Sequence, residues 1–202
     1  MPKTLSRPEI SKFRERLCEA ATRIFDARGR EGFSMRELAA AVDVSAMTPY
    51  RYYTDKDEIL AAVRARAFNR FAEALENAYA APGDFVEKSN AVGRAYMHFA
   101  FSEPSSYRLM FDLLQPDEKA YPDLVRAATR ARATMTRHVE GLVSAGILAG
   151  DPKLIGHTFW AVLHGAIMLE FARQLRSDCD FDMIVRAAST ALYASFDASL
   201  KS

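Results

Sequence analysis

Apolar residues recur along this chain at intervals of three and four, which is the spacing of one face of an α-helix. The clearest examples are residues 10–25 and residues 59–75. Alternation of apolar and polar residues, the mark of a half-buried strand, is absent. Proline and glycine are sparse, and helix formers such as Ala, Leu, Arg and Glu dominate. The pattern predicts an all-α protein.

Breaks between the apolar runs predict where the helices end. Gly29 and Gly32 close the first helix, and the Ala-Pro-Gly-Asp segment at 81–84 ends the longest one. Asp151 and Pro152 supply a cap and a proline at the first helical position. Two short helices are expected between residues 34 and 52. The other predicted helices cover residues 9–29, 56–80, 85–102, 104–114, 123–145, 152–176 and 181–200.

Residues 34–52 have the organisation of a helix-turn-helix. Ser34 followed by Glu37 predicts a capping box at the start of a short helix. Asp43 and Val44 are expected to make the turn, and Ser45 is a natural N-cap for a second short helix. Two short helices across a turn form a unit whose second helix fits the DNA major groove.

Pro49 modifies the second short helix. Proline lacks the backbone N–H and crowds the preceding carbonyl, so we expect this segment to begin as a 3₁₀ turn. Thr54 and Asp57 predict another capping pair, which would open the long helix that begins near Lys56.

The same segment resembles the DNA-binding domain of the TetR family of bacterial repressors. That family shows T-x-R-x-L-A, a turn, and then V-S-x-x-T-L-Y-x-x-F-x-x-K. This chain has S-M-R-E-L-A at 34–39 and V-S-A-M-T-P-Y-R-Y-Y-T-D-K at 44–56, with Pro49 in place of Leu and Tyr53 in place of Phe. The resemblance covers about residues 9–65. It implies that the ring of Tyr53 packs inward.

The second short segment presents hydrogen-bond donors on its surface and little aliphatic content. Its tyrosine and threonine side chains suit phosphate oxygens. Lys56 follows in the first turn of the long helix, where free N–H groups also favour an anion. Arg36 is the candidate for a base contact, because arginine pairs bidentately with guanine. The candidate DNA-binding residues are Arg36, Ser45, Ala46, Met47, Thr48, Tyr50, Arg51, Tyr52 and Lys56.

The second half of the chain resembles the ligand-binding domain of a TetR subgroup named for its Trp, His and Gly. The match rests on Y-R-L-M-F at 107–111 and on Trp160, His164 and Gly165, and it covers about residues 85–200. Aromatic walls with a few polar groups are the usual composition of a small-molecule pocket, although each such residue taken alone is more typical of a core. The candidate ligand-binding residues are Tyr96, Phe99, Met110, Phe111, Met135, His138, Trp160 and His164.

The charge distribution is more informative than the net charge of +1. Residues 1–70 hold 14 Lys and Arg against 10 Asp and Glu, and residues 71–202 hold 13 against 16. A basic N-terminal part beside an acidic remainder fits an N-terminal part that meets phosphate.

Other classes of function find little support. Cys18 and Cys179 suggest no disulfide framework, which suits a reducing cytoplasm. The four histidines show no metal-ligand spacing, and no nucleophile elbow, phosphate loop or recognisable catalytic carboxylate pair is present. The first residues do not resemble a signal peptide, and the nearly apolar run at 159–172 is shorter than the ~20 residues that span a bilayer. We therefore expect no metal, cofactor, catalysis or membrane.

These observations predict a homodimeric, ligand-responsive transcriptional regulator in the cytoplasm, most simply a repressor. The expected parts are an N-terminal arm with the helix-turn-helix at 1–55, a long connecting helix at 56–80, and a ligand-binding and dimerisation domain at 81–202. The partners would be a pseudo-palindromic operator DNA, a second copy bound through the last two helices, and a small, largely apolar effector. The alternative is a helical carrier of apolar ligands that does not act on DNA.

Overall fold

The computed structural model describes residues 6–29, 31–111 and 117–200. These residues form eight α-helices, three short 3₁₀ helices and two isolated β-bridges, and no strand. The prediction of an all-α protein is confirmed. The helices are α1 (Arg7–Arg28), α2 (Met35–Ala41), α3 (Lys56–Ala80), α4 (Phe85–Ser102), α5 (Pro104–Phe111), α6 (Pro122–Ser144), α7 (Pro152–Phe171) and α8 (Phe181–Phe196).

Several helix boundaries follow directly from local capping chemistry. The Asp151 carboxylate accepts a 2.9 Å hydrogen bond from the Lys153 N–H at the start of α7, and Asp180 does the same for the Met183 N–H at the start of α8. Side-chain oxygens of this kind satisfy N–H groups that have no partner within the helix. Both of these predicted helix starts are confirmed.

The predicted ends of the last two helices are wrong. Helix α7 ends at Phe171 because Arg173 adopts a left-handed φ of 54°, and its N–H donates to the Glu170 carbonyl. Helix α8 ends at Phe196, and a separate 3₁₀ helix, Ala198–Leu200, follows it. Neither end carries the glycine that usually marks such a stop. The predicted end of α5 at residue 114 lies outside the described residues.

The chain divides into two compact units. The N-terminal unit comprises the residues up to Arg70 together with Glu103–Ala128, and the C-terminal unit comprises Phe71–Ser102 and the residues from Thr129 onward. This division reflects which residues contact one another, and it does not test which segments bind DNA or ligand. The predicted functional boundaries at 55 and 80 therefore stay predictions.

Each unit has its own apolar core. In the N-terminal unit, fully buried leucine and isoleucine side chains of α1, α2 and α3 pack together, among them Leu17, Leu38 and Ile59. In the C-terminal unit, Val139 and Leu142 of α6 pack with Ile155 of α7. The short elements between these helices are therefore held by helices that are anchored in a core.

Candidate DNA interface and ligand cavity

The first helix of the helix-turn-helix forms where the sequence predicts, but only half of the predicted capping box forms, because the Glu37 carboxylate does not accept from the Ser34 N–H. The Ser34 hydroxyl accepts a 3.2 Å hydrogen bond from the Glu37 N–H and caps α2. The Glu37 carboxylate forms an ion pair with Arg28. Asp43 adopts a left-handed φ of 56° in the turn, a conformation that aspartate tolerates better than most residues. Within the turn, the Asp43 N–H donates to the Ala40 carbonyl at 3.2 Å and the Val44 N–H donates to the Ala39 carbonyl at 3.0 Å.

The second half forms a 3₁₀ helix, Pro49–Arg51, and not an α-helix. Pro49 occupies its first position and lacks an N–H, so the preceding turn cannot continue into a regular α-helix. The prediction that Ser45 caps a helix is wrong, because Thr48 stands at the N-cap position and the Ser45 hydroxyl bonds to the Thr48 hydroxyl at 2.8 Å. The expected 3₁₀ start is confirmed.

The start of α3 is capped one residue away from the predicted pair. The Glu58 N–H donates to the Asp55 carboxylate at 2.8 Å, and the Glu58 carboxylate accepts from the Thr54 N–H. Asp55 is the residue immediately before the helix, so it reaches the free N–H groups of the first turn. The predicted pairing of Thr54 with Asp57 is wrong.

Most of the candidate DNA-binding residues lie on the surface of the N-terminal unit. Met47 is 69% exposed and Tyr50 is 47% exposed, although both carry large apolar groups. Pro49 and Tyr53 lie buried in the same segment. The segment therefore presents side chains that the core does not use. Arg36, Ser45, Ala46 and Arg51 are also exposed, and Thr48, Tyr52 and Lys56 are half-buried.

Tyr53 anchors this segment to α1. The ring is 2% exposed, and its hydroxyl lies 3.3 Å from the Cys18 sulfur and 3.4 Å from Arg14 Nε. The Arg14 guanidinium carbon lies 4.9 Å from the ring centroid, at cation–π distance. Burial raises the pKa of Tyr53 above its usual value, so the phenol stays protonated. The expected inward packing of Tyr53 is confirmed.

Two further contacts from α1 were not foreseen from the sequence. Arg16 Nη2 donates a 3.2 Å hydrogen bond to the Val42 carbonyl at the turn. The Phe13 ring lies 4.9 Å from the ring of Tyr52, which makes Tyr52 part of the packing as well as a candidate for DNA contact. Helix α1 therefore supports both halves of the helix-turn-helix.

The C-terminal unit contains a cavity of about 280 Å³ between α4, α6, α7 and α8. Apolar side chains make up most of its wall, and Phe159, Leu163 and Leu192 are examples. This volume and composition suit a small apolar molecule. Of the eight candidate ligand-binding residues, four line the cavity: Tyr96, Met135, His138 and Trp160.

The other four candidates do not line this cavity. Phe99 is buried against Phe71, with ring centroids 5.2 Å apart. Met110 is 2% exposed in the core of the N-terminal unit, where Phe111 contacts Tyr107 edge to face. His164 is half-buried beside Trp160, with ring centroids 6.2 Å apart. The structure therefore gives these four no support as ligand contacts.

Two sets of polar contacts interrupt the apolar wall. Ser89 Oγ lies 2.9 Å from His138 Nδ1, and the Tyr193 hydroxyl donates to Ser89 Oγ at 3.4 Å. Separately, Trp160 Nε1–H donates to the Tyr96 hydroxyl at 3.0 Å. Burial lowers the pKa of His138 to about 4, which keeps the ring neutral near pH 7. The sequence reasoning missed Ser89 and Tyr193.

A close backbone approach closes one side of the cavity. A Cβ added at Gly156 of α7 would lie 2.7 Å from the Met135 carbonyl oxygen of α6. That distance is shorter than any side chain tolerates, so only glycine lets the two helices meet here. Both residues line the cavity, which makes this contact part of its shape.

Helices α7 and α8 pack against each other and leave apolar side chains exposed. Leu154 is 61% exposed, Leu169 is 45% exposed and Met183 is 52% exposed. No described residue of α8 is fully buried. By length and composition alone, α7 is apolar enough to cross a membrane, but the core helix of a soluble protein meets the same criteria.

The described residues contain no group of three or more His, Cys, Asp or Glu side chains placed to hold a metal ion. Cys18 is buried and Cys179 is exposed, and neither is in a disulfide.

A helical protein with a helix-turn-helix in one unit and an apolar cavity in the other has the organisation of a ligand-responsive DNA-binding regulator. Comparison with protein families agrees. Residues 17–63 match the family described as bacterial regulatory proteins, tetR family. Residues 89–192, more than half of the chain, match the tetracyclin repressor-like C-terminal domain. The chain belongs to the TetR family. Its placement in the Trp-His-Gly subgroup stays a prediction.

Similar proteins include several transcriptional regulators. An HTH-type transcriptional regulator of Mycobacterium tuberculosis is 26% identical over 131 residues, which cover 62% of this chain and 53% of the relative. The HTH-type transcriptional repressor DrrR1 of Streptomyces coeruleorubidus is 48% identical over 46 residues, 23% of this chain and 17% of that one. The chain thus spans about half the length of the first of these relatives.

Solved structures share the fold over nearly the whole chain. A protein of unknown function from Rhodococcus sp. RHA1 is 26% identical with a TM-score of 0.79, over 98% of this chain and 99% of that chain. SmeT, the repressor of the Stenotrophomonas maltophilia multidrug efflux pump SmeDEF, is 19% identical with a TM-score of 0.66, over 91% and 90%. At that identity the second likeness shows the fold alone.

Proposed function

We propose that this protein is a DNA-binding transcriptional regulator, acting in the cytoplasm as a repressor that a small, largely apolar effector releases from its operator. The observation that carries the proposal is the surface segment around Met47 and Tyr50, whose side chains are exposed while buried Tyr53 anchors it to α1. Membership of the TetR family and the names of its relatives support the same function.

The DNA contacts divide into two roles. Lys56 in the first turn of α3 contacts a phosphate and so positions the protein on the DNA. Such a contact does not distinguish one base sequence from another. Arg36 reads a base edge, and Met47 and Ala46 meet a thymine methyl. The remaining contacts are to the DNA sugar-phosphate backbone, from Ser45, Thr48, Tyr50, Arg51 and Tyr52. The support for these assignments is exposure and residue chemistry.

We further propose a homodimer formed through α7 and α8. The exposed Leu154, Leu169 and Met183 side chains are the support, because exposed apolar surface on two packed helices gains free energy when a second copy covers it. A two-fold dimer binds a pseudo-palindromic operator whose half-sites lie about 34–36 Å apart, or somewhat more.

The effector binds in the cavity of the C-terminal unit, with Tyr96, Met135, His138 and Trp160 in its wall. Helices α3 and α6 both contribute residues to the two compact units. Helix α3 is the candidate for coupling the two sites, because its first turn also carries Lys56, the proposed phosphate contact. The effector can shift DNA binding by no more than its difference in affinity for the DNA-bound and the free conformations.

The competing proposal is a carrier of apolar ligands without a role at DNA, and the cavity is the observation that favours it. DNA binding separates the two. The full chain should be titrated with the intergenic DNA beside its own gene and with random DNA, at several salt concentrations. A regulator binds the intergenic DNA more tightly, and its affinity falls steeply with salt.

Met47→Asp is the matched variant for this titration, because its side chain is exposed and adds nothing to the core. It should bind DNA more weakly at unchanged thermal stability. Equal and salt-independent affinity for intergenic and random DNA would leave the carrier as the better proposal.

A further inference from the structure

The polar groups in the cavity wall indicate what kind of molecule it accepts. Among the described residues that line it, none is acidic, and Arg94 is the one charged side chain. Arg94 is exposed. A buried cation would therefore find no carboxylate to pair with, and burying an unpaired charge is costly. The lining argues against cationic ligands.

The hydrogen bonds around His138 favour one of its two tautomers. The Tyr193 hydroxyl donates to Ser89 Oγ, and Ser89 Oγ lies 2.9 Å from His138 Nδ1. Because Ser89 Oγ accepts from Tyr193, the Ser89 hydroxyl keeps its own proton available for His138 Nδ1, and this direction requires Nδ1 to be the unprotonated ring nitrogen. In a neutral imidazole the proton then resides on Nε2.

His138 Nε2–H is left as a donor that faces the cavity. No described residue accepts a hydrogen bond from it. Nε2 is also not one of the fully buried side-chain atoms without a partner, so a molecule in the cavity can reach it. The ring stays neutral near pH 7 because burial lowers its pKa. A neutral N–H donor in an apolar wall gains most from a ligand atom that accepts a hydrogen bond without bringing a charge.

We propose that the cavity selects an uncharged, largely apolar molecule carrying a carbonyl or a comparable acceptor, and that His138 Nε2–H is the donor that recognises it. Ser89 and Tyr193 are positioning residues, since they hold the ring and fix its proton. The inference rests on the proposed function in placing the effector in this cavity, but binding to the cavity can be measured without DNA.

Three probes of nearly the same shape test the selection: 4-phenyl-2-butanone, n-butylbenzene and 3-phenylpropanoate. Titration calorimetry on the full chain measures each affinity, and the emission of Trp160 gives a second reading, because it is the single tryptophan and lines the cavity. The ketone should bind about 2–10-fold more tightly than the hydrocarbon, as one neutral hydrogen bond allows. The carboxylate should bind more weakly than the ketone, because its charge must be desolvated.

Two variants assign the preference to a residue. In His138→Phe, which keeps an aromatic ring but removes the donor, the ketone and the hydrocarbon should bind with a ratio near one. In Arg94→Gln the ratio should be unchanged. A ketone preference that survives His138→Phe would overturn the proposal. So would tighter binding of the carboxylate that Arg94→Gln abolishes, because Arg94 would then be the anchor.

Nitrogen-15 spectroscopy of histidine-labelled wild-type protein needs no variant. It should show His138 protonated on Nε2, with a shift of that resonance when the ketone binds. A proton on Nδ1, or no binding by any of the three probes, would overturn the inference. Protein that binds intergenic DNA but makes no distinction among the probes would refute this inference alone. Protein that distinguishes them but never prefers its intergenic DNA would refute the proposed function alone.

Discussion

Arg16 and Val42 are joined by a hydrogen bond of 3.2 Å from the guanidinium to the backbone carbonyl. This contact links α1 to the turn of the helix-turn-helix, 26 residues later in the chain. Val42 is the C-terminal cap residue of α2, where carbonyl groups lose their partners within the helix. Arg16 therefore fixes the turn that places the exposed segment after it.

The first prediction concerns this contact. Arg16→Met keeps the aliphatic stem and removes the donor, so the free energy of unfolding should fall by ~1 kcal/mol, a figure already reduced for partial exposure. Affinity for the intergenic DNA should also fall, because the turn is less well fixed. Arg23→Met, at an exposed position on the same helix, is the control and should change neither quantity. Equal behaviour of the two variants would show that Arg16 does not position the turn.

The comparison of sequence with structure shows which features local chemistry encodes. Helix α3 and helix α4 have the predicted bounds, because Pro82 and Gly83 lie between them and apolar residues repeat regularly within them. The prediction of a Ser45 cap is wrong because Pro49, four residues later, prevents the α-helix that Ser45 was expected to cap. The predicted end of α7 is wrong because Arg173 adopts a left-handed conformation, which is more usual for glycine.

The cavity was harder to derive from sequence than the helices. Tyr96 and Phe99 lie three residues apart on α4 and both pack edge to face on Phe71, yet of the two only Tyr96 lines the cavity. Both side chains are aromatic, so residue type fits either a cavity wall or a core. Both also lie on the same helix face, so the helical period does not tell them apart. Ser89 and Tyr193 lie 104 residues apart, and no local pattern relates them. Their partnership depends on tertiary packing.

The second prediction separates phosphate contact from base contact. Lys56→Ala should weaken binding to all DNA alike and reduce the salt dependence by about one counterion. Arg36→Ala should cost ~1–3 kcal/mol on the intergenic site and relax the preference at one base position. Titrations with single-base variants of the site measure both effects. Equal losses on specific and random DNA for both variants would refute the division of roles.

The third prediction tests the close approach of α7 to α6. Gly156→Ala should destabilise the protein, because the added methyl group would lie 2.7 Å from the Met135 carbonyl oxygen and the helices would have to separate. We expect a loss of ~1–3 kcal/mol, the usual cost of overpacking. Gly93→Ala in α4 is the control, since nothing lies within 4 Å of its added Cβ. It should stabilise by ~0.5–1 kcal/mol through helix propensity. Thermal unfolding of both variants measures the difference.

The fourth prediction concerns pH. Burial lowers the pKa of His138 to about 4 in the folded state, against about 6.5 when it is unfolded. Between these values the unfolded chain binds the proton and the folded one does not, so stability is lost as the pH falls from 6.5 towards 4. The loss should reach ~3 kcal/mol near pH 4.

Gln at position 138 keeps a polar side chain and does not titrate. His138→Gln should therefore remove that part of the pH dependence, which denaturant unfolding at pH 7, 5.5 and 4.5 would measure. Parallel pH curves for the variant and the wild type would show that His138 titrates normally in the folded protein.

The fifth prediction concerns the association of two copies through α7 and α8. Leu169→Asp places a carboxylate on a side chain that is 45% exposed in the single chain, so folding should survive while an apolar interface would not. Phe196 is a poorer choice, because its ring packs against the core around Val139 and Leu142.

Sedimentation should show a dimer for the wild type and a monomer for Leu169→Asp at the same concentration. Met47→Asp, at a 69% exposed position in the N-terminal unit, is the control and should remain a dimer. A dimer that persists in Leu169→Asp would place the interface away from this face of α7, and affinity for the intergenic DNA should then also be unchanged.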